Sequence, residues 1–369
     1  MLQDESTGSI IAAPEFDPGY ERCGGYGYCW PRDASEAAEA LAQAGYPEAL
    51  RELCEWYKLA QLPDGMWGQR HWADGQVAAS WALRRGFEQL DQTAAAAVSL
   101  GNYIAMADEN ERGQRLADYW HCLQHALEAL TAHVDERGLH RFACDLWETY
   151  CGVFVYTNAA FARAFDVAQH CARLAERAAL ADEWLRTAQR LAEACKNLYN
   201  GVYFARGFDA SGQLDSAVDT STLGLLEPWR VLSPHDPQER RMIISNLQEI
   251  ERRLHQPLGE HVGLRRFEGD VYLHGVVGCV NTLWGAQICL CLAATEQGDN
   301  PEEARRFRAQ ALDYLRLCLD RATPTGLLPE LIGLQPDTPY WAAPHAWASA
   351  LMVRCAHLLH ETRALAEDA

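Results

Sequence analysis

The chain has 369 residues, 49% hydrophobic and 10% aromatic, enough apolar surface to bury a large core, so wholesale disorder is excluded. Acidic residues outnumber basic ones by 51 to 32, a formal charge of -19 that repels phosphate backbones and anionic lipid and argues against nucleic-acid or membrane partners. No apolar run is long enough to span a bilayer.

In chain order, helical periodicity dominates and strands are hard to find. Phe161, Phe165, Ala168, Ala172 and Ala175 recur at spacings of three and four, as do Phe307, Ala311, Leu315 and Cys318, and again Trp347, Leu351 and Cys355, the pattern of one buried helix face. Such segments predict about eleven helices, near 33–45, 47–61, 91–107, 114–133, 155–177, 181–197, 220–231, 236–254, 280–296, 302–322 and 344–361. No short exact repeat marks a tandem solenoid, so residues 1–369 read as a single domain.

Short links (around Gly45-Tyr46, Asn110 to Gly113, Ala178 to Leu180, Ser233 to Asp236 and Gly298 to Pro301) alternate with long ones near 62–90, 134–154, 198–219, 255–279 and 323–343. A short link makes an antiparallel helical hairpin, and loops above about 15 residues are usually functional. The five long loops all lead into the second helix type, so they should emerge at one end of the bundle. Six of the twelve tryptophans lie in them or before the first helix: Trp30, Trp67, Trp72, Trp81, Trp147 and Trp341. Tryptophans in loops must pack underneath or line a cleft. An all-α toroid with one aromatic-lined mouth follows.

Thirteen cysteines are scattered through the chain, several inside helical patterns (Cys171, Cys195, Cys289, Cys318). The stretch Met1 to Pro14 lacks the basic start and apolar run of a signal peptide. Thiols in a reducing cytoplasm are the expected state.

There is no H-E-x-x-H, C-x-x-C, Walker loop or G-x-S-x-G, so no metal or other cofactor is expected. Carboxylates remain. Glu148 sits in a long loop beside Phe142, Trp147, Tyr150 and Phe154, an apolar wall of the kind that raises a carboxyl pKa for general-acid work. Glu330 lies in another long loop, Gly326-Leu327-Leu328-Pro329-Glu330-Leu331, where almost nothing else is charged. Two carboxyl groups across an aromatic pocket are the minimal equipment for glycoside hydrolysis. Each also has a plain structural reading: a loop glutamate solvated or capping, Asp33 in Arg32-Asp33 as a first-turn acid, Asp91 and Asp219 as N-caps. Pattern alone gives a pocket and not a reaction.

The segments Gly8 to Asp17, Gly24-Gly25-Tyr26-Gly27-Tyr28-Cys29-Trp30-Pro31-Arg32-Asp33, Asp145-Leu146-Trp147-Glu148, Arg266 to Tyr272 with Asn281-Thr282-Leu283-Trp284, and Gly326 to Glu330 together resemble glycoside hydrolase family 15, of bacterial or archaeal type. They follow the family's order across nearly the whole chain. The resemblance implies an (α/α)6 six-hairpin toroid and an exo-acting inverting hydrolase that releases β-glucose from α-glucans or maltooligosaccharides. It assigns Glu148 as general acid and Glu330 as general base. It places Tyr26, Trp30, Arg32, Asp33, Trp147 and Arg266 around the sugar. Inverting enzymes hold their two carboxyl groups roughly 6.5–9.5 Å apart, leaving room for a water.

Family members that cleave α-1,6 glucans or trehalose share the terminal glucose and are the nearest alternatives; a non-catalytic sugar-binding or regulatory toroid is the alternative of another class. Three departures stand out. The family has twelve helices, and the first would lie just before Met1, so an upstream segment or a partner chain is expected to supply it; nor is the β-sandwich domain found upstream in many bacterial relatives expected. Leu331 replaces a common glutamine. Beyond Glu330, the loop from Thr325 to Trp341 does not align with the family.

Overall fold

A computed structural model describes residues 2–14, 25–79, 88–333 and 340–367. Its helices in chain order are α1 (Pro31–Gln43), α2 (Pro47–Ala60), α3 (Asp91–Ala105), α4 (Glu109–Ala132), α5 (Val155–Leu174), α6 (Ala178–Lys196), a 3-10 helix (Thr220–Leu225), α7 (Pro237–Leu254), α8 (Cys279–Asp299), α9 (Pro301–Asp320) and α10 (Ala346–Glu367), with a second short 3-10 turn at Tyr272–Gly275. Local chemistry sets their starts. Proline opens α1, α2, α7 and α9, where its missing N–H costs nothing. Asp108 and Asp236 cap α4 and α7 by accepting two backbone N–H bonds each.

Burial sorts the helices into two layers. α3 buries thirteen of its fifteen residues, including the run Ala94 to Ala97, so it belongs inside. α6 buries only Ala181, Trp184, Ala188, Leu191 and Cys195 along one stripe, as an outer amphipathic helix does. By contact, α1, α3, α5, the 3-10 helix, α8 and α10 form an inner ring that closes where α10 meets α1. Around it, α2, α4, α6, α7 and α9 form the outer layer, each paired with the inner helix before it. The fold is an (α/α)6 toroid, with five outer helices among the described residues.

The inner helices approach closely. A Cβ on Gly101 of α3 would come within 2.4 Å of Val167 Cγ1 on α5, so glycine is what lets this pair touch. The helix expected over 220–231 is instead a single 3-10 stretch. Pro228 lies in that span, and a proline both lacks the N–H and disfavours helix in the residue before it.

Short antiparallel ladders stiffen the long loops: β1 (Ala143–Cys144) with β2 (Cys151–Phe154), β3 (Gly207–Phe208) and β4 (Leu214–Asp215) in one sheet, β5 (His255–Leu258) with β6 (His261–Leu264), and β7 (Val277–Gly278) with β8 (Leu331–Ile332). Among the described residues no helix is long and apolar enough to cross a membrane.

Candidate active site

The long loops run into the N-terminal ends of the inner helices, and there a cavity of about 490 Å³ opens. All eight residues singled out from the sequence line it: Tyr26, Trp30, Arg32, Asp33, Trp147, Glu148, Arg266 and Glu330. Val280 and Asn281 from the start of α8, and Trp347 from the start of α10, also line it. Helix N-termini carry partial positive charge, which favours ionised carboxylates near them.

The floor is Arg32. Its backbone N–H donates to Gln92 Oε1 (2.8 Å), and its guanidinium donates to Asp91 Oδ2 (2.8 Å) and Asp33 Oδ2 (3.2 Å). It also lies 5.3 Å from the Trp347 ring. Burial works against the charged guanidinium, and Asp91 and Asp33 more than reverse that, raising its pKa. Burial raises both aspartates, with Arg32 opposing. Asp91 is therefore an ion-pair partner and not an N-cap; Leu90 holds the cap position of α3. Asp219 does cap, accepting from Ser221 N–H (2.8 Å), and it also accepts from Trp147 Nε1 (2.9 Å).

Glu148 sits in the turn joining β1 to β2, at a left-handed φ of 61°. Asp145 braces that turn, its Oδ1 accepting from Thr149 N–H (2.7 Å) and Tyr150 N–H (2.8 Å), while Gln89 Nε2 donates to the Asp145 and Leu146 carbonyls. Burial pushes Asp145 up to about 7, yet it does not line the cavity. Glu148 does, and Trp30 Nε1 donates to its Oε1 (3.0 Å). Burial raises the Glu148 pKa against that bond and the charges of Arg32 and Arg70.

Glu330 arrives just before β8, its N–H donating to the Trp341 carbonyl (2.9 Å) and its carbonyl accepting from Cys279 N–H (2.7 Å). Tyr26 O–H donates to its Oε2 (2.5 Å). Burial raises this carboxyl too, opposed by His345, the Tyr26 bond and Arg266. Leu331, the departure noted in the sequence, is buried against Ala13, Trp341 and Ala342.

Arg266 forms the opposite kind of contact, a two-pronged pair with Asp270 (2.7 and 2.6 Å). Its guanidinium lies 4.7 Å from the Tyr272 ring and 5.6 Å from Trp147. Tyr272 O–H accepts from Trp341 Nε1 (3.0 Å), so a buried polar wall carries both side chains into the cavity. Of the other loop tryptophans, Trp67 is buried under its loop, Trp72 is 43% exposed, and Trp81 lies outside the described residues, as do positions 15–24 of the opening motif.

Sequence reasoning missed three contributors. His345, 3% exposed, lines the cavity with Nε2 3.6 Å from Asp33 Oδ1. Its Nδ1 accepts from Ala348 N–H at 3.4 Å, which leaves the proton on Nε2, facing Asp33. Arg70 stacks 4.5 Å from Tyr28 and 5.3 Å from Trp30. Asn281 Nδ2 donates to Thr220 Oγ1 (2.6 Å), tying α8 to the 3-10 helix. Asn281 fell within a recognisable motif, but nothing local distinguishes His345 or Arg70.

A helical double ring with a carboxylate-bearing aromatic pocket at the inner helix N-termini is an arrangement that suits glycoside hydrolysis. The chain belongs to the glycosyl hydrolases family 15, whose model matches residues 1–67 and 88–357. It is 27% identical over 361 residues to an uncharacterized glycosyl hydrolase of Methanocaldococcus jannaschii, covering 96% of this chain and 53% of that protein. It thus spans about half the length of that relative. Its fold matches the glucoamylase of Hormoconis resinae with a TM-score of 0.76, over 95% of this chain and 68% of that one at 16% identity. A bacterial glucoamylase solved in complex with acarbose matches at 0.75, over 97% and 54%, at 18% identity.

Proposed function

We propose that this glycoside hydrolase removes glucose from the non-reducing ends of α-glucans or maltooligosaccharides, with inversion. Glu148 donates its proton to the glycosidic oxygen as the C1–O bond breaks. Glu330, as a carboxylate, takes a proton from the water that forms the new bond to C1 on the opposite face. No covalent intermediate is needed, and β-glucose leaves. Asp33 accepts from, and Arg32 donates to, the hydroxyls of the terminal sugar, pairing groups that burial would otherwise leave unsatisfied. Arg32, already fixed to Asp91, and Asp33 hold the chain end, which is what exo action requires.

The observation that carries this reading is the convergence of Glu148 and Glu330 from separate loops, one held by Trp30 and the other by Tyr26, in the cavity also lined by Arg32 and Asp33. The acarbose-bound bacterial glucoamylase of like fold supports a glucan-type substrate. Cleavage of α-1,6 links or of trehalose would use the same grip on the terminal glucose.

Proton NMR of the first products from maltose, isomaltose and trehalose tests it. β-Glucose is expected from one of them and none from Glu330→Gln. Release of the non-reducing-end glucose as the α-anomer, seen as α-glucose beyond what the leaving sugar itself contributes, would sink the inverting mechanism, and persistence of full activity in Glu330→Gln would remove Glu330 as base.

A further inference from the structure

Two thiols face each other at the foot of the turn that carries Glu148. β1 and β2 run antiparallel with Cys144 opposite Cys151. Asp145 N–H donates to the Tyr150 carbonyl (3.0 Å), whereas Cys144 N–H turns away to the Glu88 carbonyl (3.0 Å). Cys144 and Cys151 are therefore a non-hydrogen-bonded pair, the position where cross-strand side chains come closest. Their Sγ atoms are 3.6 Å apart. A disulfide needs roughly 2.03–2.05 Å, so bonding asks the sulfurs to close by about 1.5 Å. Cys144 is buried, but Cys151 is one of two described cysteines, with Cys291, that reach solvent.

We propose that Cys144 and Cys151 form a reversible disulfide by exchange with a low-molecular-weight disulfide. The Cys151 thiolate attacks one sulfur of that disulfide and expels a thiolate. The Cys144 thiolate then attacks Cys151 Sγ and expels the second. The protein loses two protons and two electrons, and the small disulfide takes them up to become two thiols.

The bond ties the ends of the six-residue connection 145–150, which presents Trp147 and Glu148 to the cavity. That connection is already constrained by the left-handed Glu148 and the Asp145 brace. Contraction at its foot displaces Glu148 relative to Trp30, and a misplacement of about 1 Å at a reacting group can cost on the order of 100-fold in rate. This consequence, unlike the modification itself, rests on the function proposed above.

The test uses the full chain treated with oxidised glutathione, then alkylated and digested with trypsin. Cleavage after Arg141 and Arg163 releases residues 142–163, which contain these two cysteines and no other. The expected peptide is unalkylated and two hydrogens lighter than its reduced form, and dithiothreitol reverses the change. In Cys144→Ser the reaction should stop with glutathione on Cys151. A wild-type peptide that stays doubly alkylated, or stops at the mixed disulfide, overturns the proposal. The mass readout holds whatever the protein hydrolyses. A separate assay expects the oxidised wild type to lose at least ten-fold in glucosidase rate while Cys151→Ser, treated alike, does not; equal rates would refute the effect on Glu148.

Discussion

Glu148 and Glu330 are both pushed toward the protonated form by burial, yet the proposed reaction needs them in opposite states. Their neighbours differ in kind. Glu330 accepts a phenol O–H, with His345 and Arg266 favouring its carboxylate, whereas Glu148 accepts one indole N–H at its Oε1, with Arg32 and Arg70 favouring its carboxylate. As pH falls through the raised pKa of Glu330 the base is lost, and as pH rises through that of Glu148 the acid is lost. Glu148→Gln should remove the alkaline limb and cost roughly 10²–10⁴-fold on maltose. An aryl glucoside, whose leaving group needs little protonation, should lose far less; equal losses would take the acid role from Glu148. Both glutamates were legible because each sits in a recognisable local motif. The Asp91 partner of Arg32 and the His345 neighbour of Asp33 were not, since each pairing joins residues far apart in sequence and shows no local spacing.

At the scale of elements, the boundaries that sequence reads well are those fixed by local chemistry, such as Pro47 opening α2 and Asp236 capping α7. The 220–231 segment misleads because its apolar pattern outweighs the single Pro228. The ladders in the loops escape because most of their strands are two residues long, too short for any alternation to register. One such region makes a measurable prediction. His140, fully buried, accepts from Phe154 N–H through Nε2 (2.6 Å), and Asn158 Oδ1 accepts from its backbone N–H (2.9 Å). Burial lowers its pKa from 6.5 to about 4. The unfolded chain thus binds the proton more readily, so stability is whole above about pH 6.5 and is lost as pH falls toward 4. The loss amounts to on the order of 3 kcal/mol. Urea unfolding at pH 7 and 4.5 should show a steeper drop for wild type than for His140→Gln. Parallel drops would mean that the imidazole is not the group that titrates.

For the molecule as a whole, the hydrophobic pattern told inner from outer helices less well than the alternation of short and long connections did. The short links define hairpins, and the long loops gather at one end, where the cavity lies. Ring closure itself was not visible in any segment, because it is a contact between the first and last helices of the inner layer. It should nonetheless govern stability. Deleting residues 346–369 removes α10, including buried Trp347, Leu351 and Cys355, and uncovers the flanks of α1 and α8 at once. The shortened chain should lose its cooperative thermal transition and near-ultraviolet circular dichroism together. A sharp transition in that variant would show that the remaining helices form a stable arc without closure.

The same seam orders events in the cell. A ribosome delivers α1 before the other inner helices and α10 after them, so α1 waits while all of these are made for one of its two inner neighbours. Until then the nascent chain is an open arc whose two rims, α1 and α8, are uncovered, and Glu36 on α1 lacks its Arg354 partner. Slow translation of the stretch that carries α10 would lengthen that exposure.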